Sequence, residues 1–143
     1  MATVELRFSA LPEHVRTARL VAAAVARRAG VDEAVLDEVR LAVGEACTRA
    51  VGLHRSNGVS APVKVLLIEE EKQFSIEVGD EAPHSAPGER SPGADTGEPE
   101  SEEDDMGLAV ISGLVDDLEV RSGEHGGQLR MTWPTTPPTA VLP

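Results

Sequence analysis

Glu45 and Arg49 stand four residues apart in GEACTRAVGLH, residues 44–54, an otherwise apolar stretch with helical spacing. On a helix that separation puts both side chains on one face, within reach of an ion pair. A carboxylate used as a general base must be open to a proton, and a guanidinium held against it competes for that role. Arg49 only donates hydrogen bonds and is permanently cationic. It therefore suits an anionic oxygen, from Glu45 or from a ligand. It offers nothing to a magnesium ion, which wants oxygen donors. Further along, Asp80 closes the run QFSIEVGD, and Asp104 and Asp105 precede MGLAVISG, which contains Gly107. Carboxylates at that point suit a helix N-terminus. His54 reads as an ordinary helix-end residue. Cys47, the single cysteine, has no internal disulfide partner and reads as a small buried apolar residue rather than a reactive thiol.

The elements that must position these residues follow from hydrophobic period. TVELRFSA alternates, with Val4, Leu6 and Phe8 on one side and Glu5 and Arg7 on the other, and predicts a half-buried strand. Pro12 suits a first helical turn, and Leu11, Val15, Ala18, Ala22, Val25 and Ala29 form an apolar stripe that Gly30 terminates. Arg16, Arg19, Arg27 and Arg28 fall off that stripe, on a solvated face or a surface for an acidic partner. Asp32 is placed to cap a second helix that carries Val35, Val39, Ala42, Ala46, Ala50 and Leu53 and ends at Ser56-Asn57-Gly58. Two alternating strands follow, one with Val63, Val65 and Leu67 and one with Phe74, Ile76 and Val78. After residues 81–105 come a short apolar helix, the strand LEVRS, a GEHGG turn and a closing strand with Leu129, Met131 and Trp133. The order predicts an α+β two-layer sandwich with a mixed or antiparallel sheet and helices on one face.

Charge narrows the function classes. The net charge is −12, of which residues 81–105, with nine acids against Arg90, carry −8. The acidic balance and the scarcity of aromatics (Phe8, Phe74, Trp133 and no tyrosine) argue against nucleic acid as a partner. No apolar run is long enough to span a bilayer and the first residues do not read as a signal peptide, so a cytoplasmic setting is expected. One domain over 1–134 is expected, with 81–105 as a disordered acidic lid loop and 135–143 as a disordered Pro-rich tail.

Three segments, in order, resemble the boxes of the GHKL ATPase superfamily, and in particular the small anti-sigma-factor serine kinases of bacterial partner-switching systems. LDEVRLAVGEACTRAV resembles the first box, IEVGDEAPH the second and DDMGLAVISGLVDDLEV the third. The resemblance implies a Bergerat-type sandwich with ATP between the helices and a lid. It also implies a sigma factor and an anti-anti-sigma antagonist as partners, and a homodimer. It casts Glu45 as the catalytic carboxylate, Asp80 as the acceptor of the adenine amino group and Gly107 as part of the phosphate cradle. The family's magnesium-binding asparagine is Arg49 here, so no metal ligand is assigned. Arg49 pairs with Glu45, contacts phosphate oxygens in place of the metal, or turns out to solvent. The glycines of the second box are Ala82 and His84 with Pro83 between them, the earlier glycine of the third box is Asp105, and the final Gly-Thr is Gly126-Gly127. Every one of these changes falls on the phosphate end of one ligand.

The expected function is therefore an anti-sigma-factor-like regulator that works by protein binding, with ATP binding weakened or lost. The alternative is an active ATP-dependent serine protein kinase acting on the antagonist. An acidic α+β domain with an unrelated small-ligand site is the reading that uses no family. The mutual placement of Glu45, Arg49, Asp80 and Gly107 separates them.

Overall fold

The computed structural model describes residues 2–83 and 107–135. His84, Asp104, Asp105, the acidic stretch from 84 on and the tail from 136 on lie outside the described residues. Five strands are described: β1 (Ala2–Phe8), β2 (Val63–Glu69), β3 (Gln73–Asp80), β4 (Asp117–Gly123) and β5 (Gly126–Pro134). They form one sheet in the order β1-β2-β3-β5-β4, every neighbouring pair antiparallel. The sandwich is thus the expected α+β type, with a purely antiparallel sheet. Helices α1 (His14–Ala29) and α2 (Leu36–Ser56) cover one face. Residues 107–112 form a third helical segment, α3.

Register explains the core. Val4 faces Leu67, Leu6 faces Val65 and Phe8 faces Val63, while Ile76 lies between Leu67 and Met131. Directly opposed residues share a face, so the alternating side chains of four strands meet the helices together. Phe74 and Trp133 are opposed across β3 and β5, with ring centroids 6.4 Å apart. The Trp133 indole N–H donates to the Leu114 carbonyl at 3.0 Å, which ties the segment after α3 to the core. The outward face is polar: Arg130 donates to Glu77 and Glu70, and Gln128 donates to Glu77.

Gly30 ends α1 in the left-handed region at φ 101°, where a side chain would be strained. Its stripe differs from expectation in detail. Leu11 is exposed, Val25 and Ala29 are half-buried, and Ala23 and Ala26 are buried in their place. Helix α1 starts at His14, beyond Leu11, so Leu11 does not share its periodic face. Asp32 does cap, but its carboxylate accepts from Ala34 N–H at the start of a 3-10 turn, Glu33–Val35, that leads into α2. Where the helices cross, a Cβ on Gly44 would stand 3.0 Å from Arg19 Cδ, so the glycine lets the Arg19 stem lie flat on α2.

Candidate nucleotide-type site

Helix α2 carries Glu45 and Arg49 beside the sheet, because Val39, Ala42, Val43, Ala46, Ala50 and Val51 bury its inner stripe against the strands. Glu45 is exposed and Arg49 half-buried, one helical turn apart. Gly107 opens the described part of α3 directly over Glu45: a Cβ at Gly107 would lie 3.6 Å from Glu45 Oε1. The first and third boxes are thereby brought together.

Asp80 ends β3 and is 7% exposed. Its Oδ1 accepts the Ala82 N–H at 3.0 Å, an Asx turn that folds the chain back as it leaves the strand. Ala82 is fully buried. Gly127 faces Asp80 across the sheet, and Gly126, at φ 146°, packs on it so closely that a Cβ would lie 2.3 Å from the Asp80 carbonyl oxygen. The second box is thus built on a close backbone approach from the β4–β5 hairpin.

His54 departs from the sequence reading. It is fully buried, not an ordinary helix-end residue. Its Nδ1 lies 2.9 Å from the Ala61 carbonyl oxygen, and its Nε2 accepts the Glu81 N–H at 2.9 Å. A backbone N–H can only donate, so Nε2 is unprotonated and Nδ1 carries the hydrogen that Ala61 accepts. One imidazole therefore joins the end of α2 to the entry of β2 and the exit of β3. A signal was present in the sequence: His54 continues the buried spacing of Val43, Cys47, Ala50 and Val51.

Glu81 and Ala82, assigned from sequence to the lid loop, have their backbone N–H groups taken by His54 and Asp80. Glycines at such a loop would leave donors free to meet a ligand; here those two donors point into the protein. The residues present do not match a magnesium site of the expected kind, since Arg49 occupies the ligand position and supplies no oxygen. Among the described residues, no cluster of His, Cys, Asp and Glu could hold a metal ion. Cys47 is buried, and loss of solvation pushes its thiol up to about 12, so it is no nucleophile at neutral pH. Among the described residues, no helix is long and apolar enough to cross a membrane.

Comparison with known proteins bears on the family and the fold. The sequence is 29% identical over 125 residues to the anti-sigma F factor of Clostridium acetobutylicum, covering 87% of each chain. The fold matches the crystal structure of the RsbU and RsbW domains of Rv1364c from Mycobacterium tuberculosis with a TM-score of 0.68 at 17% identity. That match covers 96% of this chain and 33% of the longer one, and at this identity it speaks for the fold alone. The histidine kinase-like ATPase domain matches residues 8–133, the span that holds all three boxes, β2, β3, β4 and β5 up to Trp133, and of β1 only Phe8. On that match, which spans most of its length, the chain belongs to the histidine kinase-like ATPase domain family.

Proposed function

We propose that this chain is a cytoplasmic anti-sigma regulator of transcription, acting as a homodimer in a partner-switching system and holding ATP weakly or not at all. Its partners are a sigma factor, an anti-anti-sigma antagonist, or both. The likeness to an anti-sigma F factor over 87% of both chains supports the partner class. The observation that carries the weakened nucleotide site is the closed exit of β3, where Ala82 is buried and the N–H groups of Glu81 and Ala82 are bonded internally. Arg49 in place of an oxygen ligand points the same way. Protein binding needs helix faces and a stable core, and both are retained. Phosphoryl transfer needs positioning and charge neutralisation at the terminal phosphate, and those are the features that have changed.

One observation favours the kinase reading. Glu45 is exposed and lies against Gly107, where a carboxylate acting on a hydroxyl would be wanted. Calorimetric titration with ATP, with and without Mg²⁺, separates the two readings when run on the natural protein and on Arg49→Asn. The regulator reading expects little or no heat from the natural protein, together with capture of a purified sigma factor in the absence of nucleotide. Tight ATP binding and phosphate transfer to an antagonist serine would replace it with the kinase reading.

A further inference from the structure

We infer that His54 is a proton-operated latch on the exit of β3: its neutral ring holds Glu81 closed, and a proton on Nε2 releases it. The inference deepens the proposed function and rests on its reading of Asp80 as part of a nucleotide site, whose affinity the latch would set. The Glu81 N–H donates to Nε2 at 2.9 Å, so this bond exists only while that nitrogen is unprotonated. An imidazolium would set one N–H against another and drive the pair apart. The opposite end of the ring behaves differently. Nδ1 lies 2.9 Å from the Ala61 carbonyl oxygen and keeps its hydrogen in both states, so that bond survives the proton. Uptake of one proton thus cuts one of the ring's two bonds and spares the other.

The surroundings decide which side moves. The His54 carbonyl accepts the Val59 N–H at 2.8 Å and the Leu53 carbonyl accepts the Asn57 N–H at 3.1 Å, so the end of α2 and the turn after it are fixed. Asp80 is opposed to Gly127 in the sheet and covered by Gly126. Glu81 is the first residue beyond the strand and is exposed, so release begins there. It turns a backbone donor outward beside Asp80, where a ligand contacting that carboxylate would meet it. The titratable and charged groups of the elements around the ring are Cys47 and Arg55 on α2, Lys64 on β2, Asp80 and Glu81 at the β3 exit, and Glu124 and His125 in the β4–β5 turn. All but Cys47 and Asp80 are exposed. The Cys47 thiol stays protonated up to about 12. Asp80, the only buried acid among the described residues, is the group whose titration the test must separate from that of His54.

Nuclear magnetic resonance of the whole protein from about pH 8 to about pH 5, the range in which imidazoles take up a proton, follows the His54 ring and the Glu81 amide together. As the ring charges, the Glu81 amide is expected to lose roughly tenfold or more of its exchange protection while the protein stays folded. Calorimetry with ATP over the same range is expected to show binding roughly tenfold tighter at the acid end, the worth of one freed donor. His54→Gln keeps a neutral donor and acceptor but cannot take the proton, so its Glu81 protection and ATP affinity should lack this step. Asp80 and the phosphates of ATP are the same in both experiments, so a step that persists in His54→Gln would overturn the latch. Two outcomes on the natural protein would overturn it without any variant: a ring that stays neutral until the protein unfolds, or a Glu81 amide that stays protected beside a charged ring. A Glu81 amide that opens with acid while ATP binding does not change would leave the latch standing and overturn the nucleotide reading of Asp80.

Discussion

His54 Nε2 accepts the Glu81 N–H at 2.9 Å, and through that bond the end of α2 fixes the point where the chain leaves β3. The other ring nitrogen holds the Ala61 carbonyl, so the side chain is a three-way tie between a helix and two strands. His54→Ala strands a buried carbonyl and the Glu81 N–H and opens a cavity. The expected loss is about 2–4 kcal/mol of unfolding free energy in urea. Hydrogen exchange at the Glu81 amide should quicken in the same variant. An unchanged urea midpoint would show that the tie contributes nothing.

Cys47 gives a pH dependence whose sign is fixed. Burial raises its folded pKa to about 12, above an ordinary value of 9.0. Below 9.0 both folded and unfolded thiols are protonated and the group does not tilt the balance. Between 9.0 and 12 the unfolded chain releases the proton that the folded chain keeps, so stability falls as pH rises, by about 1.4 kcal/mol per pH unit. Subtracting the pH profile of Cys47→Ala from that of the natural protein isolates this slope. A flat difference through that window would mean the thiol is not shielded.

Gly126 and Gly123 flank the same hairpin yet differ in what a side chain would meet. At Gly126 a Cβ falls 2.3 Å from the Asp80 carbonyl oxygen, whereas at Gly123 nothing lies within 4 Å. Gly126→Ala should cost on the order of 2 kcal/mol or more, because backbone must move at both strands. Gly123→Ala should stay within about 0.5 kcal/mol. Equal melting temperatures for the two variants would contradict this contact.

Gly107→Ala should be tolerated by the fold. Its Cβ would stand 3.6 Å from Glu45 Oε1, an ordinary contact, so a stability change within about 1 kcal/mol is expected. A loss of sigma-factor or ATP binding in a folded Gly107→Ala protein would then place the Glu45–Gly107 junction in the binding surface. A collapse in thermal stability would instead assign Gly107 to packing.

The local elements were legible in the sequence because each rests on a short-range rule. Alternation marked β1, β2, β3 and β5, the spacing of Val39, Ala42, Ala46 and Ala50 marked α2, and Gly30 marked the end of α1. The resemblance of three segments, in order, to the family's boxes also pointed to the family that the domain match shows. Tertiary structure alone decided who meets whom. The insertion of β5 between β3 and β4 is a non-local pairing, and only that pairing brings Gly126 onto Asp80. The role of His54 depends on Ala61 and Glu81, which are 7 and 27 residues away along the chain. Its periodic position announced burial, but a periodic pattern cannot name hydrogen-bond partners. Leu11 shows the converse: its spacing matched the stripe of α1, yet the helix begins after it and leaves it exposed. A sequence pattern specifies which side of an element turns inward, through solvation of apolar groups. The partner it finds there is set by how the chain closes over distance.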